Sequence, residues 1–302
     1  MIEVNNLTKT FDDFVAIDNL TCTIPDGCIY GMVGSNGAGK STFLRVISGV
    51  YKADKGEVAL DGQPILENPQ SKAKIILVPD ELYFLQGASM NRMASLYKTV
   101  YPNFDMKRYN ELTSAFGLDP KRNIATFSKG MKRQATTILT LSSKPQYIFF
   151  DETFDGLDPV MRTLVKKIIC DDVAERNATA VITSHSLREL EDTCDQLALL
   201  HKGGLVLESD VQNLKTSLFK VQIAFLGEYD KSKFDGIDML SFQKKGSVSS
   251  FIVRGDSASV KQRLSALSPA LLDILPLTLE EVFTYEMDAL GYKFDDVLEG
   301  EK

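Results

Sequence analysis

Apolar and polar residues alternate in the first segments of the chain, a pattern that predicts strands. Residues 2–6 and 20–24 show this alternation and are predicted to pair as an antiparallel edge across an aspartate-rich turn. Residues 28–33 are apolar without alternation, which is typical of a buried strand, and a helix is predicted over 42–48. Further strands are predicted at 56–60, 75–78, 147–150 and 178–183.

A helical pattern interrupts this α/β core. From about residue 81 to 142 the apolar residues recur at helical spacing with few strand signals, which predicts an inserted helical subdomain. Alternation returns at 219–225, and two helical stretches follow, the second over 278–290. We therefore expect an α/β domain over 1–214 and a small α+β accessory domain over 215–302.

The sequence GSNGAGKST, residues 34–42, lies between the buried strand and the helix and matches the pattern G-x-x-x-x-G-K-S/T. Its three glycines allow backbone angles that turn successive amide groups toward phosphates. Lys40 supplies a cation for the terminal phosphates, and Ser41 a hydroxyl for the magnesium ion that accompanies them. This loop predicts a P-loop NTPase fold that binds ATP and Mg²⁺ through Gly34, Ser35, Asn36, Gly37, Ala38, Gly39, Lys40, Ser41 and Thr42.

Two carboxylates, Asp151 and Glu152, directly follow the apolar strand at 147–150. We predict that Asp151 holds the metal, directly or through water, and that Glu152 polarises an attacking water. Taken alone, such an acidic pair is also typical of a solvated turn. His185 follows the next buried strand, and we predict that it acts in catalysis together with Glu152 and Lys40.

Composition narrows the class of protein. With 302 residues, 44% of them hydrophobic and 25% charged, the chain is an ordinary globular protein. The formal charge of −7 argues against a nucleic-acid partner, because such proteins usually carry a basic face. The four cysteines lack metal-ligand spacing and are predicted to be buried in a reducing compartment. No stretch has the roughly 18 uninterrupted apolar residues of a membrane span, so any spanning segment is expected in another chain.

The order of these motifs over about residues 1 to 210 resembles the nucleotide-binding subunits of ATP-binding-cassette (ABC) transporters. The matching features are Phe11, the phosphate loop, the signature-like Ser128-Lys129-Gly130, the strand ending in Asp151-Glu152, the segment TFDGLDP at 153–159, and His185. The resemblance implies that Phe11, Ser128, Gly130 and Asp158 are among the ATP-binding residues. For Phe11 the residues alone leave two alternatives open, a core position and a face on which a nucleobase stacks.

The resemblance also implies partners and a location. In this family the signature segment of one subunit closes over the nucleotide held by another, so a second cassette is expected beside a multi-span membrane permease. The subunit would lie at the cytoplasmic face of the cell membrane. The variant signature and the sequence EEVFTYEMDALGYKF resemble a bacterial subgroup that exports peptides and antibiotics. The alternative is a soluble cassette ATPase acting on ribosomes or DNA, which would usually contain two cassettes or a long coiled coil.

The chain departs from the family pattern at two places. The usual signature L-S-G-G-Q is FSKGM here, which keeps Ser128 and Gly130. Where the family usually has glutamine, the chain has Asp80, and a carboxylate cannot donate the hydrogen bond that an amide donates. We predict that Asp80 contributes to the magnesium site, and the alternative is a solvated turn residue.

Overall fold

The computed structural model describes residues 1–289 and 291. It divides the chain into two compact units, the first over Met1–Glu208 and the second beginning at Ser209. The sequence placed this boundary after residue 214, inside what is a helix in the structure, Val211–Ser217. Within the described ranges, the helices are all too short or too polar to cross a membrane.

The first unit alternates strands and helices. In chain order its elements are β1 (Ile2–Phe11), β2 (Phe14–Ile24), β3 (Ile29–Val33), α1 (Lys40–Ile47), β4 (Lys55–Leu60), β5 (Gln63–Pro64), α2 (Pro69–Lys72), β6 (Ile75–Val78), α3 (Met90–Val100), α4 (Met106–Ala115), α5 (Lys129–Ser142), β7 (Tyr147–Asp151), α6 (Pro159–Arg176), β8 (Thr179–Ser184), α7 (Leu187–Leu190), β9 (Gln196–His201) and β10 (Gly204–Asp210), the last crossing the unit boundary.

Two sheets form this unit. The antiparallel edge predicted from the sequence is present as the sheet β2-β1-β4-β5. The central sheet has the order β10-β9-β3-β8-β7-β6, in which β9, β3, β8, β7 and β6 run parallel. Parallel strands end at one edge of a sheet, so the loops after β3, β6, β7 and β8 leave from the same edge. These loops carry all the candidate residues that follow strands.

The central strands are buried on both faces, as the continuous apolar runs predict. Every residue of β3 and of β7 is buried, and helix α1 adds Phe43 and Leu44 to the same core. Helices α3, α4 and α5 occupy the segment predicted as an inserted helical subdomain. The fold class is therefore confirmed: this is a P-loop α/β cassette with an antiparallel edge and a helical insertion.

The second unit is the small α+β domain that the alternating pattern predicted. Its elements are α8 (Val211–Ser217), β11 (Leu218–Ala224), β12 (Met239–Lys245), β13 (Val248–Arg254), α9 (Ser257–Ser265), β14 (Leu271–Pro276) and α10 (Leu279–Ala289). The four strands form an antiparallel sheet in the order β12-β13-β11-β14, with Val221, Ile223 and Phe251 in its core. The remaining residues of the predicted domain, 290 and 292–302, lie outside the described residues.

Candidate active site

The phosphate loop borders a pocket of about 240 Å³ at the carboxyl edge of the central sheet. Most of the residues that line the pocket belong to this loop, and the others come from the start of β2 and from the loops after β6 and β7. The lining residues are Phe14, Ala16, Asn36, Gly37, Gly39, Lys40, Ser41, Thr42, Asp80 and Glu152. Residues that are far apart in the sequence thus meet in one pocket.

Gly39 shows why the loop needs glycine at this position. Its φ of 104° lies in the left-handed region, and an added Cβ would come within 2.4 Å of the Ala16 carbonyl oxygen. Gly39 is also the N-cap of helix α1, and among the described residues no side chain caps the first amide groups of this helix. Uncapped amides at the positive end of a helix favour an anion, so the loop is built to receive phosphates.

Lys40 is buried, and its ammonium group has three oxygen neighbours. The Nζ atom donates to the carbonyl oxygens of Gly34 at 2.8 Å and Ser35 at 3.1 Å, and it lies 3.3 Å from Oε1 of Glu152. The cation and the predicted general base are therefore in direct contact. An anion that draws the ammonium group toward itself must compete with this contact.

Ser41, which lines the pocket, joins the buried residues Asp151 and Thr183 in a cluster of oxygen atoms. The Ser41 hydroxyl donates to Oδ1 of Asp151 at 3.0 Å, and the Thr183 hydroxyl donates to the same atom at 2.8 Å. Only 2% of Asp151 is exposed. A hydroxyl and a carboxylate are hard oxygen ligands of the kind that Mg²⁺ prefers, so Ser41 and Asp151 fit the metal-binding roles predicted for them.

Glu152 lies at the centre of the catalytic residues. Its Oε2 atom is 3.0 Å from Nδ1 of His185, and its backbone amide donates to the Thr183 hydroxyl at 3.2 Å. Its φ of 48° places the residue in the left-handed region, which is uncommon for a side chain of this size. The structure thus brings together the three residues predicted for catalysis, Lys40, Glu152 and His185.

Asp80 reaches the pocket but makes a contact that neither sequence interpretation included. Its carboxylate forms an ion pair with the guanidinium group of Arg133 on helix α5. Asp80 is 56% exposed and Arg133 only 1%, counted over the side chains. Arg133 is therefore a residue that the sequence analysis missed, although it lies in FSKGMKRQ, the segment that begins with the signature. The proposed contact between Asp80 and magnesium remains a prediction.

Two phenylalanines are candidates for contact with a nucleobase. Phe14 is 59% exposed and lines the pocket. Phe11 is 40% exposed, and its ring packs edge-on against Tyr51 with the centroids 5.4 Å apart. Phe11 is thus not a core residue, and its stacking role remains a prediction, with Phe14 as a second candidate that the sequence analysis did not name.

Comparison with known proteins decides the family. Residues 17–155 match the ABC transporter family. The ABC transporter ATP-binding protein YtrB of Bacillus subtilis (strain 168) is 32% identical over 284 residues, which cover 94% of this chain and 97% of YtrB. This chain belongs to the ABC transporter ATP-binding proteins. The resemblance stated from the motifs alone is therefore confirmed.

Two further similarities agree with this family. The bacitracin transport ATP-binding protein BcrA of Bacillus licheniformis is 28% identical over 71% of each chain. A dimeric, post-hydrolysis ATP-binding cassette solved with ADP and Pi has the same fold, with a TM-score of 0.60 and 20% identity over 70% of this chain and 99% of that one. This ABC cassette is an ATPase subunit that powers transport through a separate membrane protein.

The signature residues Ser128 and Gly130, and Asp158 of the segment TFDGLDP, lie at helix starts outside the pocket. The Ser128 hydroxyl caps helix α5 by accepting from the Met131 amide at 3.2 Å, and Asp158 caps helix α6 in the same way. An added Cβ on Gly130 would come within 2.9 Å of the Gly156 carbonyl oxygen. Neither Ser128, Gly130 nor Asp158 is a lining residue of the phosphate-loop pocket. Their predicted contact with a nucleotide remains a prediction that requires a second cassette.

A second ion pair holds the start of the signature helix. Lys129 contacts Asp155 at 2.6 Å, and this hydrogen bond is the largest cause that lowers the pKa of Asp155 below its usual value of 3.8. Asp155 belongs to the loop that follows β7. The helix that carries the signature is thus tied to the same sheet edge as the phosphate loop.

Proposed function

We propose that this cassette drives export and works as one of two ATP-binding chains attached to the cytoplasmic side of a multi-span membrane permease. The observation that supports a second chain is the position of the signature residues. Ser128 and Gly130 lie outside the pocket that Lys40 and Ser41 line. A site that needs both groups therefore takes the signature from another cassette, which fits the dimeric solved structure of similar fold.

In this proposal, the chain's own residues divide the work of hydrolysis. The amides at the start of α1 and the Lys40 ammonium bind the phosphates, as their position at the pocket supports. Glu152 accepts the proton of the attacking water, and His185 holds the Glu152 carboxylate in place through the 3.0 Å contact. Magnesium held near Ser41 and Asp151 would neutralise the phosphate charge.

We infer export rather than import from the cargo for which two relatives are named. BcrA is named for bacitracin transport, and a further relative, SrtF of Streptococcus pyogenes, for lantibiotic transport. Both names indicate the movement of antibiotic peptides. We infer a hydrophobic or peptide-like cargo for the permease that this cassette serves.

The exposed residues next to Asp80 are where we place the permease contact. Tyr83 is 81% exposed, and Phe84 and Leu85 beside it are partly exposed. Adjacent exposed apolar side chains of this kind mark interaction surfaces. The loop joins the nucleotide core to the helical subdomain, so a permease bound there would contact both parts.

The dimer is tested with the Glu152→Gln variant on a sizing column. We expect this 33.5 kDa chain to elute at twice its mass with ATP and Mg²⁺, because ATP binds but is not consumed. The matched control is the double variant Glu152→Gln/Lys40→Ala, which should remain monomeric because it holds ATP poorly. Glu152→Gln that stays monomeric both alone and with its co-purified permease would overturn the shared-site proposal.

The direction of transport is tested in membrane vesicles that contain the permease and the cassette. Inside-out vesicles should accumulate an antibiotic-peptide cargo when ATP is supplied outside, and vesicles with Lys40→Ala should not. Accumulation only in right-side-out vesicles loaded with ATP would show import and contradict the export proposal.

A further inference from the structure

Asp80 stands where the pocket and the helical subdomain meet. The residue follows β6 at the carboxyl edge of the sheet and lines the phosphate-loop pocket together with Ser41 and Glu152. Its ion-pair partner Arg133 lies on α5, one helical turn after the signature. A single pair of charges therefore joins the rim of the pocket to the helix that carries the signature.

The pair is asymmetric in its burial. The Arg133 side chain is almost completely buried, whereas more than half of the Asp80 side chain is exposed. Among the residues that the structure describes, the Nε and Nη1 atoms of Arg133 have no hydrogen-bond partner. A buried guanidinium with so few partners depends strongly on the carboxylate that it does contact. Arg133 thus cannot move away easily, and it restrains the more exposed Asp80.

The pair also sets the charge at the pocket rim. Asp151 and Glu152 already place two carboxylates near the phosphate loop, and Lys40 contacts one of them. Asp80 alone would add a third negative charge where a polyphosphate must bind. Arg133 neutralises that charge while leaving a carboxylate oxygen at the rim.

We propose that Arg133 is a positioning residue that holds and neutralises the Asp80 carboxylate at the rim of the nucleotide pocket, and thereby sets how strongly nucleotide binding depends on magnesium. The inference rests on the proposed binding of magnesium nucleotide in this pocket. Arg133 affects the binding of the magnesium nucleotide only through its contact with Asp80. The ion pair also gives the pocket a direct link to helix α5.

Electrostatics predicts opposite effects for the two halves of the pair. Arg133→Met leaves the Asp80 charge unbalanced, which repels the polyphosphate and attracts Mg²⁺, so binding should depend more on magnesium. Asp80→Asn leaves the Arg133 charge unbalanced, which attracts the polyphosphate directly, so binding should depend less on magnesium. One unit charge about 10 Å from the doubly charged Mg²⁺, in an effective dielectric of about 80, changes such an equilibrium roughly fourfold.

The experiment measures binding of a fluorescent ATP analogue to the full chain, once with Mg²⁺ and once with EDTA. The quantity compared is the ratio of the two dissociation constants, EDTA over Mg²⁺. We expect the ratio to rise about fourfold in Arg133→Met, to fall about fourfold in Asp80→Asn, and to return close to the parent value in the double variant. Arg133→Lys, which keeps the charge, should also stay near the parent.

A purely structural ion pair would give a different result. Loss of either partner would then lower the melting temperature, because the buried Arg133 charge loses its contact or the protein loses that charge, without moving the ratio in opposite directions. Lys144→Met is the matched control, because it breaks the 2.7 Å pair with Asp105, and neither residue lines the pocket. Its ratio should equal that of the parent.

Ratios that are unchanged, or that move in the same direction in both single variants, would overturn the positioning role of Arg133. If Arg133→Met does not fold, the other two single variants still test the positioning role. Asp80→Asn should lower the ratio, and Arg133→Lys should leave it unchanged. A parent chain that fails to bind the analogue at all would instead refute the proposed nucleotide site.

Discussion

Replacing Glu152 by glutamine should slow hydrolysis and, at the same time, tighten ATP binding. The structure supplies the reason for the second effect, because the Lys40 ammonium lies 3.3 Å from the Glu152 carboxylate. Part of the binding energy of the phosphates is therefore used to weaken this contact. Glutamine keeps the size of the side chain but removes the charge that competes for Lys40.

The size of the effect follows from the geometry. At 3.3 Å and an effective dielectric of 20 the gross attraction is about 5 kcal/mol. Desolvation offsets most of it, since both side chains are largely buried, and hydrogen bonds to charged groups contribute about 1.5 to 3 kcal/mol net. The glutamine carbonyl keeps part of the interaction with Lys40. We therefore expect the free energy of ATP binding to become about 1 kcal/mol more favourable, which is roughly fivefold tighter binding. Turnover should fall by about 10² to 10⁴, as for loss of a general base.

The assay is equilibrium binding of ATP with Mg²⁺, combined with phosphate release under single-turnover conditions. His185→Gln is the control, because it removes the other neighbour of Glu152 and leaves the contact with Lys40 in place. It should slow hydrolysis without tightening ATP binding. Turnover of Glu152→Gln within tenfold of the parent, or a dissociation constant no lower than that of the parent, would refute this account of the site.

Three further outcomes are expected. Lys40→Ala should abolish measurable ATPase activity, since the developing phosphate charge loses its buried cation, and near-parental turnover would contradict the assignment. Phe14→Ala should weaken ATP binding by about fivefold or more, the loss of one base–aromatic stack, and more than Phe11→Ala does; the reverse order in titrations would assign stacking to Phe11. Lys129→Met should destabilise the chain at pH 6, because the contact with Lys129 lowers the pKa of Asp155 below 3.8 and the ionised carboxylate stabilises the folded state. In urea melts, the difference in stability between parent and variant should vanish as the pH falls below the pKa of Asp155 and the carboxylate is protonated.

The phosphate loop and the acidic strand end could be predicted because their signals are local. Each consists of a short motif directly after an apolar run, so strand, turn and chemistry are read from neighbouring residues. Because parallel strands end at the same edge of a sheet, their order along the chain is enough to predict that Lys40, Glu152 and His185 meet there. Family resemblance added the order of the motifs, but their meeting in space follows from the topology.

The contacts that were missed depend on packing between distant segments. Asp80 and Arg133 are 53 residues apart, and their pairing requires α5 to lie against the loop after β6. The chemistry of each residue is visible in the sequence, but nothing local indicates that one charge is the partner of the other. The role of Asp80 was therefore predicted without its contact to Arg133.

Irregular pairing explains why Phe14 was overlooked. Strand β2 begins at Phe14, whereas alternation predicted a strand only from residue 20. The β1–β2 pair has several register shifts, and each shift breaks the two-residue alternation on which the prediction depended. The predicted strand was thus too short, and the residues near the pocket were treated as part of a turn.

The order of the central sheet has a consequence for synthesis of the protein. Strand β3 carries the phosphate loop and is made early, yet its hydrogen-bonded neighbours are β8 and β9, which contain residues 179–184 and 196–201. About 150 further residues are therefore synthesised after the loop before the strands that support it leave the ribosome. Pairing between strands so far apart in the sequence is slow to form. A nascent or prematurely terminated chain that ends before β8 contains the whole phosphate-binding motif but lacks the neighbours that hold it in shape. Such a fragment should not bind ATP. The cassette should bind nucleotide only after its central sheet has formed.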